Sequence, residues 1–389
     1  MHIVFSHDHR FLCDQNGIAY SDGTFPYAVW ERYLEVFDRM TVIGRHGTTD
    51  TPGQLSVSSG PGIEFEYVAS LSHPWDTITK RRQVEDAIEL QLKQAAGLIA
   101  RVPSQISIAA IRVAKRLRKP WMVEVVGCPW DVALNYGGAY IAPLAPVWRH
   151  SMRKAVEHAP FAVYVTQQFL QRRYPTEGWS VACSNVEIPE PDSLTLHRRI
   201  ERIHRIKCDF VLGIIASLTP RYKGIETAFD ALRRIGDDTL SLRILGPGSP
   251  EPWRHMAQRM GIGHRVHFDG SRPAGAAVYD WLDNIDLYLQ PSYTEGMPRA
   301  MIEAMFRACP SLGSSVGGIP ELLPEECLHK PKDSATLARQ IQEIRSNPGQ
   351  MERLATWNHV RSRDYCRPRL QRIRRSVYEQ FAAYCRSNP

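Results

Sequence analysis

Two glutamates, Glu295 and Glu303, stand eight positions apart in the stretch QPSYTEGMPRAMIEAMF, residues 290–306. The apolar run DLYLQ before them, residues 286–290, reads as a strand. Pro298 suits the first turn of a following helix, where its missing N–H would have had no partner. Met301, Ile302 and Met305 then turn towards a core. A helix that starts directly after a strand presents free N–H groups and the positive end of its dipole to an anion. Gly296 lets a ligand approach the backbone. Glu295 sits at the mouth of this site, and Glu303 lies about one and a half turns along the helix. Carboxylates accept hydrogen bonds from sugar hydroxyls, and helix N–H groups bind phosphate. The pattern therefore suits a ligand with both a diphosphate and several hydroxyls, such as a nucleotide-sugar. The competing reading is a capped helix with an incidental glutamate in its middle.

The elements that must position these residues alternate between strand and helix. In the first half the strand candidates are 2–5, 41–44, 63–69, 121–126 and 161–166. Trp30, Tyr33, Leu34 and Phe37 recur at helical spacing, and a second helical region covers 80–98. In the second half strands are expected at 210–217, 240–245, 265–268, 286–290 and 310–314, with helices near 224–235, 251–261 and 298–308. Such alternation means α/β domains, with parallel sheets covered by helices on both faces. The stretch 184–208 breaks the rhythm with a Pro-Glu-Pro-Asp run followed by basic residues. It reads as the linker between two doubly wound domains. Two such domains facing each other leave a cleft at the C-terminal ends of their strands, where ligands bind in this class.

Bulk properties narrow the function. The chain has 389 residues, enough for two domains. Its formal charge of +7 points to an anionic partner or simply to a basic surface. Eight scattered cysteines include no C-x-x-C pair, which argues against a zinc site or a disulfide framework and fits a reducing compartment. The N-terminus MHIVFSHDHRF is too short and polar for a signal peptide. The longest uncharged stretch, 132–148, is broken by Gly and Pro and falls short of a bilayer span of about 20 residues. It could serve as an interfacial loop. The HDH run at 7–9 reads either as a cleft-lining loop at the end of a first strand or as a metal cluster. A nicotinamide dehydrogenase would need a G-x-G-x-x-G after the first strand, which is absent, and no nucleic-acid-binding module is visible.

EGMPRAMIE resembles the E-x7-E motif of glycosyltransferase family 4, retaining enzymes of the GT-B fold. GIIASLTPRYKGIETAFDAL resembles the family's loop carrying a phosphate-binding lysine, and LRILGPGS, RVHFDGS and SSVGGIPELL match later landmarks in order. HDHRF, VEVVGCPWD and YVTQQFLQRRYP in the first half look like the bacterial capsule and exopolysaccharide branch. The resemblance implies two Rossmann-like domains facing a central cleft. Residues 1–195 would bind acceptor, 196–208 would link, 209–366 would bind the nucleotide-sugar, and 367–389 would form a helix packing back on the first domain.

By the same resemblance Glu295 meets the donor sugar, Glu303 the ribose hydroxyls, and Lys223 neutralises the donor diphosphate, with Gly296 and Met297 in the substrate-binding loop. The family's arginine six residues before that lysine is replaced here by Ser217, and Arg221 is the candidate for the second positive charge. A first-domain histidine of many members is also missing. Asp131 is the nearest polar candidate, with a helix N-cap as its alternative role. Gly17 and Gly23 resemble the first-domain glycine loop, where donor phosphate and acceptor meet; ordinary turn glycines are the alternative. Gly246, Gly248, Gly317 and Gly318 are expected to serve turn geometry.

The implied function is retaining transfer of a sugar from a UDP- or GDP-sugar to a growing, polyprenyl-linked oligosaccharide in bacterial surface polysaccharide synthesis. The nucleotide-sugar is a substrate, and neither cofactor nor metal is expected. The implied setting is cytoplasmic, at the inner face of the cytoplasmic membrane. Arg372, Arg374 and Arg375 of the last helix are expected to face anionic lipid, while Leu370, Ile373, Val377, Phe381 and Tyr384 form its packed face. The alternative is a non-catalytic nucleotide-sugar-binding scaffold subunit.

Overall fold

The short β-branched and aromatic runs form strands, and parallel pairing buries both of their faces. A computed structural model describes residues 1–50, 53, 55–136, 141–205, 209–219 and 221–388. The chain divides into two compact units. One comprises Met1–Trp130, Leu144–Cys183 and Gln371–Pro389; the other comprises Asp131–Pro143 and Ser184–Leu370.

Strands of the first unit are β1 (His2–Cys13), β2 (Ala19–Ser21), β3 (Arg39–Thr48), β4 (Ser56–Val57), β5 (Ile63–Tyr67), β6 (Gly97–Val102), β7 (Trp121–Val125), β8 (Phe161–Tyr164) and β9 (Trp179–Ala182). They pair in parallel in the order β5-β3-β1-β6-β7-β8-β9, and β2 and β4 add an antiparallel flap beside β1. The expected helix near 80–98 spans Arg81–Gln94, and its last expected residues belong instead to β6. Every residue of β6 is buried, so it shows no alternation for a sequence reading to find.

The HDH run is not a loop at the end of a short strand. β1 continues through it with a register shift between Ser6 and Arg10. The Asp8 carboxylate accepts from the backbone N–H groups of Gln105 (2.5 Å) and Ile106 (3.4 Å), capping the helix Gln105–Arg116. The His7 and His9 rings lie 5.4 and 5.0 Å from the Phe25 ring. Among the described residues no three His, Cys, Asp or Glu side chains gather as a ligand set for a metal ion.

The second unit holds β10 (Phe210–Ile215), β11 (Leu240–Leu245), β12 (Val266–Phe268), β13 (Leu287–Gln290), β14 (Ser311–Ser314) and β15 (Leu328–His329). All pair in parallel, in the order β12-β11-β10-β13-β14-β15. The order reverses between β10 and β13.

The segment expected to link the domains is a helix, Ser193–Arg205, over most of its length. The Asp192 carboxylate caps it, accepting from the Thr195 N–H at 2.7 Å. Thr195, Arg199 and Ile203 recur every four residues and are buried. Helical spacing was hidden because an arginine occupies the inward position. Its guanidinium satisfies the carbonyls of Ile285 (2.5 Å), Leu282 (2.9 Å) and Arg307 (3.2 Å), which no apolar residue could do. Residues 206–208 of the expected linker, with Cys208, and 137–140 of the uncharged stretch lie outside the described residues.

The last helix, Arg367–Ser387, groups with the first unit from Gln371 onward. Its packed face is rotated from the expected one. Arg374 is buried at 5% exposure, together with Val377, Tyr378, Phe381, Ala382 and Cys385, whereas Ile373 and Tyr384 are only partly covered. Tyr378 is the reason: its ring stacks on Tyr33 at 4.8 Å and its hydroxyl donates to Glu124 at 2.8 Å. No described helix is long and apolar enough to cross a membrane.

Candidate active site

Lys223 and Glu295 leave the sheet on either side of the order reversal, Lys223 in the loop after β10 and Glu295 in the loop after β13. In open α/β sheets this is where ligands bind. The two loops are bound to each other. The Tyr293 N–H donates to the Tyr222 carbonyl at 2.6 Å. Gly224, at φ +71°, lies so close to the other loop that a Cβ would sit 1.9 Å from the Pro291 carbonyl oxygen. Any side chain at 224 would force the loops apart and carry Lys223 away. A third loop supports Glu295 from behind. The Gly318 N–H donates to the Gly296 carbonyl at 2.7 Å, and a Cβ on Gly317 would lie 2.0 Å from the Glu295 carbonyl oxygen.

This scaffold brings the Lys223 ammonium to 2.7 Å from Glu295 Oε1, with the two side chains 18% and 9% exposed. Burial disfavours the charge of Lys223. The Glu295 carboxylate and Tyr222 more than offset this, so its pKa is raised. Glu295 Oε1 also accepts from the Ser292 hydroxyl (2.7 Å) and the Gln290 amide (2.9 Å).

The helix after Glu295 spans Arg299–Phe306, with Pro298 at its N-cap rather than in its first turn. No side chain caps it, and the Ile302 N–H to the Pro298 carbonyl (3.3 Å) is its first bond. The earlier amides are therefore free of intrahelical partners. Glu303 lies in this helix, 8% exposed. No described residue donates a hydrogen bond to its carboxylate, and burial pushes its pKa up to about 7 against the pull of Arg299. The Tyr288 hydroxyl is raised well above its ordinary range by burial, then by Glu295 and, more weakly, by Glu303, so both carboxylates act on one buried phenol.

The remaining expected residues fall in different places. Met297 is buried and lies against Gly318, and Gly296 is partly exposed. Ser217 is partly covered in the loop after β10. Arg221 is 70% exposed and pairs with Glu226 at 3.3 Å, not with Glu295. It borders a cavity of about 260 Å³ walled by Leu218, Thr219, Ser249 and Trp253. Asp131 is the third residue of the helix Pro129–Tyr136, inside its first turn rather than at its N-cap. Gly17 and Gly23 belong to the first unit, and each has open space where a Cβ would be.

Tyr288, Gln290, Ser292 and Gly224 were not anticipated as site residues. A signal existed for the first three. Strand periodicity puts Tyr288 and Gln290 on one face of β13, Ser292 follows two residues on in the loop, and polar groups ending an apolar strand require partners.

The fold, with parallel α/β units and the site at a strand-order reversal, is that of the GT-B glycosyltransferases. The profile described as "Glycosyl transferases group 1" matches residues 209–347. Protein CapJ of Staphylococcus aureus is 30% identical over 344 residues, covering 88% of this chain and 85% of the relative. The putative teichuronic acid biosynthesis glycosyltransferase TuaC of Bacillus subtilis is 41% identical over 239 residues, covering 60% of this chain and 57% of that protein. The crystal structure of Anabaena Alr3699/HepE in complex with UDP superposes with a TM-score of 0.65 at 16% identity, covering 100% of both chains. This chain belongs to the group 1 glycosyl transferases.

Proposed function

We propose that the protein transfers a sugar from a nucleotide-sugar donor, with retention of anomeric configuration, to a growing lipid-linked oligosaccharide of a bacterial surface polysaccharide. The observation that carries this is the Lys223–Glu295 pair at the order reversal of the second sheet. Transfer breaks the bond between the anomeric carbon and the diphosphate. Negative charge grows on the leaving group while the sugar becomes oxocarbenium-like. Lys223 and the uncapped amides of the Arg299–Phe306 helix supply fixed positive charge for that diphosphate. Glu295 accepts from sugar hydroxyls. Glu303, enclosed and without a hydrogen-bond donor among the described residues, accepts from the ribose. Support for the nucleotide comes from the UDP complex of the Anabaena protein, and support for a polysaccharide product from the putative teichuronic acid biosynthesis glycosyltransferase TuaC.

The second reading is a non-catalytic scaffold subunit. Ser217 in place of an arginine, and Arg221 engaged with Glu226, favour it. One experiment separates the two. Thermal shifts over nucleoside diphosphates and their sugars identify the donor; a ligand at 100 times its Kd adds about 2.7 kcal/mol. Turnover of that donor is then measured for wild type, Lys223→Ala and Glu295→Ala. We expect Lys223→Ala to lose roughly 10²–10³ in turnover, as when one preorganised donor is removed, and Glu295→Ala to lose turnover as its sugar contact goes. We also expect wild-type turnover to persist in a strong chelator. Wild-type turnover in both variants would overturn the site, and no turnover by the wild type would favour the scaffold.

A further inference from the structure

Glu295 Oε1 is crowded and Oε2 is not. Three donors converge on Oε1: Lys223 Nζ (2.7 Å), Ser292 Oγ (2.7 Å) and Gln290 Nε2 (2.9 Å). No described residue donates to Oε2. The donors are themselves fixed. Gln290 Nε2 also donates to Ser292 Oγ at 2.9 Å, and the Tyr288 hydroxyl donates to Gln290 Oε1 at 2.6 Å. Proton accounting allows one arrangement. An ionised carboxylate only accepts, so Ser292 must give its proton to Glu295, and Gln290 must turn its amide nitrogen to both. The amide oxygen is then left for the phenol of Tyr288. Tyr288, Gln290 and Ser292 are buried at 1% exposure or less, so none of these groups can exchange its partner for water.

We infer that Tyr288, Gln290 and Ser292 are positioning residues. They hold the Glu295 carboxylate so that Oε1 is spent inside the protein and Oε2 is the oxygen presented to ligand. This deepens the donor reading above and rests on it. A carboxylate free to rotate would offer either oxygen in many directions. One locked by three donors offers a single acceptor with both lone pairs available. The group it meets must be a donor: a hydroxyl, or an amide N–H of an acylamino sugar, and not a carboxylate. Discrimination between a nucleotide-sugar and its bare nucleoside diphosphate therefore depends on residues that touch neither.

The test has two arms. Crystal structures of wild type, Gln290→Leu and Ser292→Ala show the carboxylate directly, without ligand. We expect it to keep its rotamer in the wild type and to turn in the variants. A carboxylate unmoved in both variants would overturn the inference. The second arm measures Kd by calorimetry for UDP, UDP-glucose, UDP-N-acetylglucosamine, GDP and GDP-mannose. For the pair that the wild type discriminates best, Gln290→Leu and Ser292→Ala should lose roughly ten-fold of the preference for the sugar-bearing ligand. The bare nucleotide's Kd should move little. Ser292→Thr, which keeps the hydroxyl, should restore the preference. A merely structural defect would weaken both ligands alike. Glu295→Gln is the control for the underlying reading. If it abolishes discrimination while the Gln290 and Ser292 variants retain it, the positioning role fails alone. If wild type binds none of the five ligands, the donor reading fails, and the crystal structures still decide the positioning role.

Discussion

Each unit buries a glutamate, and the two are treated in opposite ways. In the first unit Glu124, 6% exposed, accepts at Oε1 from the hydroxyls of Tyr33 and Tyr378, both at 2.8 Å. Its Oε2 lies 3.7 Å from Arg101. Burial opposes its charge, but Arg101 and Arg32, then the two phenols, prevail, and its pKa is lowered. In the second unit Glu303 is buried to a similar degree with no donor among the described residues, and its pKa rises to about 7. A carboxylate whose partners are all internal stabilises a fold. One buried without partners costs stability, and that cost has a use if a ligand supplies the missing donors. Glu295 stands between these extremes, with one oxygen satisfied and one open.

The largest effect should come from breaking the satisfied site. Glu124→Ala strands Arg101 and Arg32 and frees two phenols, among them the one that anchors the last helix. Removing one partner of a buried ion pair costs about 3–5 kcal/mol. Denaturant unfolding should show that loss in the wild-type background, with Tyr378→Phe losing less. Equal stability of Glu124→Ala and wild type would remove the contrast between the two glutamates.

The next effect is smaller and has the opposite sign. For Glu303 the folded pKa is raised, so its protonated form favours folding at low pH. That advantage disappears as the pH rises from the ordinary carboxyl range through about 7. Glu124, with a depressed pKa, contributes stability above the ordinary carboxyl range and loses it on acidification. The ligand-free Glu303→Gln variant should therefore match wild type near pH 4.5 and exceed it at pH 8, by on the order of 3 kcal/mol at most. The same variant should bind nucleotide more weakly. A stability difference independent of pH would show that Glu303 is not held neutral by burial.

The smallest effect lies on the outer side of the helix that Tyr378 anchors. Arg374 belongs to the packed face, but Arg372 and Arg375 are exposed, Arg375 beside Glu379 at 2.9 Å. If this surface meets anionic lipid, each exposed cation is worth about 1 kcal/mol. Replacing Arg372 and Arg375 with glutamine should leave unfolding unchanged and reduce sedimentation with anionic vesicles at low salt. Equal sedimentation would leave the exposed arginines without a membrane role, and the importance of this helix would lie wholly in its buried face.

Much of this molecule was legible in its sequence, because local chemistry and periodicity are local properties. Apolar runs such as 210–215 and 240–245 could only be strands, and their alternation with helices required parallel sheets. Lys223, Glu295 and Glu303 were readable as candidates from type, spacing and resemblance, and the structure brings the first two together at the order reversal of the second sheet. Only the tertiary structure decided which partners each group has. The inward turn of Arg199 depends on carbonyls more than 80 residues away, and Arg374 is buried because Tyr378 sets the rotation of its helix. HDH became part of a strand because Asp8 meets the start of a helix almost 100 residues later. The same holds for the three glutamates. Sequence supplied a carboxylate in each case, while the set of donors reaching it is completed only by tertiary packing: Lys223 reaches Glu295 across 72 residues, Tyr378 reaches Glu124 across 254, and no described residue donates to Glu303.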